Sequence, residues 1–327
     1  MKKIFILVTG GMGFIGSEVV KKLLNLNYHI INVDKLTYAS NKERQKEFKN
    51  YKNYQFFKYD ITKNNKISWL FKKFKPKYVL NIAAESHVDN SISDPRSFID
   101  TNIIGTYNLL VNTNFLHKNK IKTKFVQIST DEVYGDIANK KFISREGDPY
   151  IPSSPYSASK ASADHLVRSW SRTYGIKYNI TCSVNNFGPF QNKEKFIPVI
   201  IDSIFKRKKI PLYGNGKQMR NWIYVKDNAD AIIDITFNGK TNETYNIGTN
   251  ENYSNISLVK KIIKIMVKDF GYDKKIYNLI SYVNDRPGHD YKYRLDYKKI
   301  RKHLNWKPRL NFENAIKETI NWYLLKK

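Results

Sequence analysis

Short apolar runs bounded by glycines, asparagines and charged residues recur along the first half of the chain, at 3–8, 28–33, 54–59, 77–82, 124–128 and 178–184. Each is too short for an independent helix and rich in β-branched or aromatic residues, which predicts strands buried on both faces of a parallel sheet. Between them, 97–117 and 156–174 carry apolar residues at helical spacing and predict amphipathic helices, and the turn at 9–16 leads into a helix through about Asn25. Residues 36–53 are polar and charged and predict a loop with a short helix. Strand alternating with helix predicts an α/β fold, a Rossmann-type doubly wound parallel sheet. After residue 184 the rhythm breaks. Short strands around 211–213, 219–225 and 244–247 mix with helices near 196–206, 227–237, 255–269 and 313–325. The shift predicts two parts, 1–184 holding the sheet and 185–327 forming mainly a smaller mixed α/β lobe, with the chain free to cross back between them. No internal repeat or low-complexity linker separates them.

The first strand runs into Thr9-Gly-Gly-Met-Gly-Phe-Ile-Gly16, where glycines at 10, 13 and 16 open a helix. Gly10 permits a tight turn, Gly13 lets the backbone approach a pyrophosphate, and Gly16 lets helix and strand pack closely. A helix N-terminus with free N–H groups favours the anion. The second strand ends in Asp34, 18 residues past Gly16, where a carboxylate accepts hydrogen bonds from an adenosine ribose. A 2′-phosphate would be repelled there, so the expected cofactor is NAD; Lys35 is placed to blunt that preference. Asp60-Ile61, at the end of the third strand, offers either an adenine contact or a helix N-cap. Ala83 and Ala84 follow the fourth strand and let the chain pass close to a cofactor. His87, just beyond, reads as a structural hydrogen-bonded histidine ahead of a catalytic one.

The fifth strand leads to Thr130-Asp131-Glu132, two adjacent carboxylates where open α/β sheets place their ligands. Tyr156 and Lys160, four apart, share one helix face. A nearby ammonium is expected to favour phenolate and make Tyr156 usable as a base. Acid, base and phenolate so close together are the equipment of an oxidoreductase with added acid–base chemistry. That makes 1–184 the dinucleotide-binding and catalytic part and 185–327 the substrate lobe.

Composition narrows the classes. No run of about 18 apolar residues exists to span a membrane. The N-terminal Met-Lys-Lys-Ile-Phe-Ile-Leu-Val resembles a signal start, but Thr9-Gly10-Gly11 interrupts it, and a strand is the better reading. A single Cys182 excludes an intrachain disulfide and fits a reducing, cytoplasmic compartment. The net charge of +28 raises nucleic-acid binding. The lysines are scattered, however, with short clusters such as Lys206-Arg-Lys-Lys209, and neither zinc-finger spacing nor an RNA-recognition signature is present. A diffuse basic surface that helps collect a polyanionic small substrate, without specific nucleic-acid binding, is the better account.

The chain resembles the extended short-chain dehydrogenase/reductases and, more narrowly, the nucleotide-sugar 4,6-dehydratases of the dTDP-glucose type. The resemblance runs nearly end to end through TGGMGFIGS, VDKLTYAS, AAESHVDNSI, STDEVYGD, SPYSASKA, NNFGPF, EKFIP, LYGNGKQMRNWIYV, YNIG and DRPGHD. The glycine turn and the Tyr–Lys pair mark only the superfamily; Asp-Glu after Thr and DRPGHD are far more specific. Epimerases of the superfamily lack the acidic pair and decarboxylases typically keep only the Glu, so those readings, like a non-catalytic NAD-sensing or nucleic-acid-binding one, are disfavoured.

The resemblance implies that Tyr156, helped by Lys160 and Thr130, takes the 4-hydroxyl proton of the sugar while hydride leaves for NAD. It implies Glu132 as base at carbon 5 and a protonated Asp131 as acid to the departing 6-hydroxyl, giving a 4-keto-6-deoxy sugar of the kind that feeds deoxysugar (for example rhamnose) biosynthesis. It extends the NAD site to Phe14, Ile15, Leu36, Thr37, Ser86, Thr101 and Asn186. For the nucleotide sugar it implies Ser86, Thr130, Asn185, Lys195, Phe196, Pro211, Tyr213, Arg220, Asn255, Arg286 and His289, with Arg220 and Arg286 suited to bidentate diphosphate contacts. No metal is implied. Ser183-Val-Asn-Asn186 and Gln191-Asn-Lys193 depart from the usual bacterial pattern and leave uracil versus thymine open. The helices at 97–117 and 156–174 are those that pair extended members into a homodimer.

Overall fold

A computed structural model of the chain describes residues 3–137, 143–285 and 287–326. Its main layer is a seven-stranded sheet with every neighbouring pair parallel. The strands are β1 (Phe5–Thr9), β2 (His29–Val33), β3 (Tyr54–Phe57), β4 (Tyr78–Asn81), β5 (Lys124–Thr130), β6 (Lys177–Ser183) and β10 (Glu243–Ile247). Their spatial order is β10-β6-β5-β4-β1-β2-β3. The chain winds outward from β1 through β2 and β3, then restarts at β4 on the other side of β1. That reversal opens a crevice at the carboxyl ends of β1 and β4, where such sheets bind ligands. Helices α1 (Phe14–Asn25), α2 (Lys42–Phe48), α3 (Asn64–Phe74), α4 (Val88–Ser93), α5 (Pro95–Phe98), α6 (Gly105–Lys118) and α7 (Pro155–Tyr174) connect the strands. Six of the seven strands coincide with the apolar runs seen in the first half of the sequence and the seventh, β10, with the short run at 244–247; Ile6, Leu7, Val8, Ile30, Ile31, Val79, Leu80, Phe125 and Val126 are fully buried in the first core. Each such side chain contributes about 1.5–3 kcal/mol on leaving water.

The helix expected at 97–117 is interrupted. Between α5 and α6 lies a π-helical turn, Ile99–Ile104, which buries Thr101 and Asn102 while Ile99 and Ile104 face outward. Asn102 explains the local fold: it accepts from the Glu85 N–H at 2.9 Å and donates to the Glu85 carbonyl at 3.1 Å and Ser159 Oγ at 2.8 Å. The turn is thereby fixed to the loop after β4 and to α7.

A second core lies beside the first. Strands β7 (Asn185–Phe187), β9 (Met219–Tyr224) and β11 (Asn252–Ser254) form one small sheet, and β8 (Ile210–Tyr213) pairs with β12 (Ile280–Val283) in another. Helices α8 (Phe196–Phe205), α10 (Asn255–Phe270) and α12 (Phe312–Leu324) close around Ile197, Ile201, Leu258, Ile262, Ile316 and Ile320. The chain crosses back between the two cores. Helix α9 (Val225–Asn238) packs against α1, and β10 then extends the main sheet beyond β6, from Glu243 opposite Asn179 to Ile247 opposite Ser183. Helix α11 (Lys298–Leu304) covers that edge.

Candidate active site

One cleft runs along the carboxyl ends of β1, β2 and β4. At its floor Gly10 adopts φ +69°, and a Cβ there would stand 2.6 Å from the Cα of Ala83. A Cβ on Gly16 would overlap the Gly10 carbonyl and lie 2.9 Å from the Cα of Gly11, so Gly16 fits helix against turn. Gly13 differs. Its Cβ would meet only the Gly10 oxygen, at 3.3 Å, so its bareness serves the cleft rather than the packing of the protein on itself. Gly13 is also the N-cap of α1, and no side chain caps that helix. Free N–H groups and the positive helix end therefore face a space shaped for a diphosphate.

Asp34 stands at the end of β2 with Oδ2 accepting from the Met12 N–H at 2.9 Å and Oδ1 from the Leu36 N–H at 2.8 Å. Burial pushes its carboxyl above the ordinary range, and those two amides and Ser40 oppose the rise. Lys35 adds a smaller opposing charge, and its ammonium donates to Glu85 Oε1 at 2.8 Å and reaches Thr101 Oγ1 at 3.4 Å. The cleft brings together Gly10, Gly13, Phe14, Ile15 and Gly16 with Asp34, Lys35 and Thr37, then Asp60 and Ile61, Ala83, Ala84 and Ser86, and finally Thr101, Tyr156 and Lys160. Sixteen of the eighteen expected cofactor positions thus share one wall. Leu36 and Asn186 do not line it; Leu36 turns the chain at φ +59°, and Asn186 sits on β7 with its Oδ1 buried and unbonded. Asp60 both lines the cleft and accepts from the Thr62 N–H at 2.9 Å. His87 accepts from the Asn90 N–H as the N-cap of α4, a structural role. The set fits NAD: a bare glycine at the helix end, an acidic residue at the ribose position, and small residues past β4.

The acidic loop and α7 meet at the inner end of this cleft. Strand β5 ends at Thr130, and Asp131–Tyr134 form a 3₁₀ turn whose N-cap is Thr130. The Thr130 hydroxyl accepts from the Glu132 N–H at 3.3 Å and donates to Asp131 Oδ1 at 3.2 Å. Helix α7 starts one residue before Tyr156 because Ser154 and Ser157 form a reciprocal capping box and Pro155 supplies the fixed φ of the first helical position. Tyr156 is thereby held in the first turn and Lys160 one turn further on.

The electrostatics separate the two loop acids. Asp131 is 3% exposed; burial and the charge of Glu132 push its carboxyl up to about 8, against the partial relief of Arg220 and Thr130. Its Oδ2 is buried without a partner. An acid that keeps its proton at neutral pH is a donor in waiting. Tyr156 does not show the expected depression. Burial and the charge of Glu132 hold its phenol above the ordinary value, and the Thr130 hydrogen bond offsets this only in part. Lys160 is engaged elsewhere: it donates to the Ile128 carbonyl at 2.6 Å, and burial lowers it while Asp164 raises it. Asp164, one turn beyond Lys160, accepts from Ser129 Oγ at 2.7 Å and Tyr150 Oη at 3.1 Å.

The substrate-side residues lie on the second core or face it. Lys195 lines the cleft and donates to the Ser86 carbonyl at 3.0 Å; it is also the N-cap position of α8, which begins with Phe196. Phe196 stacks beside Trp222 at 6.4 Å between centroids. Pro211 and Tyr213 occupy the exposed positions of β8, and Tyr213 meets His289 edge-on at 6.0 Å. Asn255 opens α10 and Asn185 pairs with Trp222. Arg286 lies outside the described residues. Arg220 is buried, and three of its hydrogen bonds go to the carbonyls of Met219, Tyr291 and Asp290. Its charge clamps that segment and faces Asp131. Sequence reasoning missed Glu85, which ties down Lys35, and Tyr38, Gln191, Asn192 and Glu194, which complete the cleft. It also missed Asp164, although a carboxylate four residues past Lys160 carries its own helical signal.

Comparison with known proteins agrees with this geometry. The family model described as GDP-mannose 4,6 dehydratase matches residues 7–319. A dTDP-glucose 4,6-dehydratase from Haemophilus influenzae is 44% identical over 98% of this chain and 97% of its own. Among solved structures, the dTDP-glucose 4,6-dehydratase of Bacillus anthracis in complex with NAD superimposes with a TM-score of 0.87 at 38% identity, covering 99% of this chain and 97% of that one. The enzyme of that name from Streptomyces venezuelae, solved with NAD bound, gives 0.90 at 34% identity over 98% and 97%. With the crevice, the acidic pair and the Tyr–Lys helix in place, the chain belongs to the GDP-mannose 4,6-dehydratase family.

Proposed function

We infer that this protein is an NAD-dependent nucleotide-sugar 4,6-dehydratase that converts dTDP-glucose to the 4-keto-6-deoxy nucleotide sugar and water. The observation that carries the reading is the adjacent pair at the end of β5, with Asp131 held in its acid form next to Glu132 and both beside Tyr156. An epimerase needs only the tyrosine and a hydride carrier; dehydration needs a proton removed from carbon 5 and another delivered to the oxygen on carbon 6. Bound NAD supplies hydride acceptance at carbon 4 and hydride return at carbon 6, and a positive charge that favours phenolate. Tyr156 takes the 4-hydroxyl proton. The resulting ketone would acidify carbon 5, where Glu132 would remove that proton, and Asp131, whose Oδ2 is buried without a partner, would protonate the departing hydroxyl. Glu132 would return its proton to carbon 5 as the bound cofactor gives hydride back, so the reaction would have no net redox change.

Two further statements belong to this reading. The outward-facing Ile99, Ile104, Tyr107, Phe115 and Tyr174 are exposed large apolar side chains on the π turn, α6 and α7, and they support a homodimer joined through those helices. The lone buried thiol Cys182 supports a cytoplasmic location. Incubation with dTDP-glucose and with UDP-glucose separately, followed by the alkaline absorbance of the 4-keto product, tests the reading. Turnover of dTDP-glucose is expected, and a Glu132→Gln variant should still reduce the nicotinamide yet lose solvent-deuterium exchange at carbon 5. Full dehydration by that variant would remove Glu132 from its role.

A further inference from the structure

We propose that Phe190, held by Arg44 from the first core and by Trp322 and Tyr323 from the second, positions residues 191–195 across the cofactor cleft and thereby sets how slowly NAD leaves. The inference rests on the NAD-dependent reading above and names residues that keep the cofactor resident while it is reduced and reoxidised.

The segment follows β7 of the second core, yet Gln191, Asn192, Glu194 and Lys195 line the cleft of the first. It reaches both walls. Glu194 Oε1 accepts from Tyr38 Oη at 3.2 Å, beyond β2, and Lys195 donates to the Ser86 carbonyl at 3.0 Å, beyond β4. A dinucleotide in the cleft is then crossed by a bridge that must part before it leaves. Both bonds are exposed, and water competes for each partner. The strength of the bridge must therefore come from its root.

That root is Phe190. Its φ of +68° is a left-handed conformation that a bulky side chain ordinarily avoids, and such outliers persist where the surroundings over-determine them. Here the surroundings come from two sides. On the first core, the Arg44 guanidinium lies 4.2 Å from the centre of the Phe190 ring, within reach of a cation–π contact. Arg44 is 3% exposed and donates to Glu18 and Glu47, so α1 and α2 fix its place. On the second core, Trp322 of α12 meets the ring at 4.6 Å between centroids, and Tyr323 Oη donates to the Gln191 carbonyl at 2.5 Å. Gln191 Nε2 in turn donates to the Asn186 carbonyl at 2.8 Å. The chain thus enters the cleft from a clamped start. Arg44, Phe190, Trp322 and Tyr323 do not themselves line the cleft; they are positioning residues that act through the segment.

Two variants of the NAD-loaded protein test the hold. Tyr323→Phe deletes one hydroxyl and should release NAD about 5-fold faster, the worth of one hydrogen bond. Phe190→Gly removes the ring where a glycine accepts φ +68° without strain, and should release NAD at least about 10-fold faster. Release is read by mixing the loaded protein with a large excess of a second dehydrogenase and its own substrate, which turn each freed NAD into absorbing NADH. With NAD added to saturation, both variants should turn over like the unaltered protein. A merely structural role gives the opposite split, a lower melting temperature with an unchanged release rate. Unchanged release from both variants overturns the proposal, as does faster release matched by an equal loss of turnover at saturating NAD. If Phe190→Gly does not fold, Tyr323→Phe alone decides. An unaltered protein that holds NAD yet forms no 4-keto product strikes the dehydratase reading instead, and leaves the release rates to be judged as before.

Discussion

Replacing Asp131 by asparagine tests whether the buried acid keeps its proton, and the effect has a sign that can be worked out. The ordinary carboxyl value is 3.8 and the folded protein raises it to about 8. Between those values the folded chain holds a proton that the unfolded chain has lost. Stability then falls as pH rises, by about 1.4 kcal/mol per unit, because the unfolded state binds fewer protons. The contribution is fully present below the unfolded value and is lost as pH climbs toward the folded one; over the whole window it reaches roughly 6 kcal/mol. An asparagine side chain is close to isosteric, uncharged, and still able to accept from Thr130, so the variant lacks this slope. Urea unfolding of both proteins at pH 5, 6 and 7, followed by tryptophan fluorescence, isolates Asp131 when one curve is subtracted from the other, since all other groups cancel. Wild type should lose about 3 kcal/mol relative to the variant between pH 5 and pH 7. In turnover the variant should be about 10²–10⁴-fold slower, and only wild type should show an elimination rate that declines above pH ~8. A stability difference that stays flat from pH 5 to 7 would mean that Asp131 is ionised in the folded protein and is not the acid.

Two other outcomes follow from named contacts. NAD should bind roughly 100-fold more tightly than NADP, because Asp34 lines the cleft at the end of β2, where its charge would oppose a 2′-phosphate, and Lys35 is tied to Glu85 and Thr101; Glu85→Gln should free Lys35 and narrow the gap in a fluorescence titration, and equal affinity of the unaltered protein for both cofactors would refute the argument. Light scattering at micromolar concentration should give twice the 38.5 kDa chain mass, with Tyr107→Glu shifting the protein toward one chain; a monomer in the unaltered protein would dismiss the apolar face as an interface.

Much of this was legible in the sequence because it is local. The glycine turn, the Asp34 strand end and the Tyr156–Lys160 spacing are each set within one strand–turn–helix unit, and periodicity reads such units well. What escaped depends on partners brought from afar. Lys35 looked free to attract a phosphate because Glu85 is fifty residues away in the chain. Tyr156 looked set for a lowered pKa because spacing names Lys160 as its neighbour, yet burial and Glu132 outweigh that spacing. The carbonyls of 290 and 291 that hold Arg220 likewise lie about seventy residues away. The short run at 244–247 carried no mark saying which core it would join, since strand propensity is indifferent to sheet membership.

The π turn at Ile99–Ile104 bears on how the two sides of this protein are kept in phase. An α-helix advances about 100° per residue, so adding or removing one residue here would swing everything downstream by that angle. Thr101, which lines the cleft, the buried Asn102, and Tyr107 and Phe115, which face outward, belong to one continuous helical rod. Deleting a single residue from the wide turn would rotate Tyr107 and Phe115 off the outer face while Asn102 stayed anchored to Glu85 and Ser159. The widened turn therefore works as an angular spacer: it sets the azimuth of the outer apolar face relative to the chemistry, and length changes in this helix should be far less tolerated than substitutions.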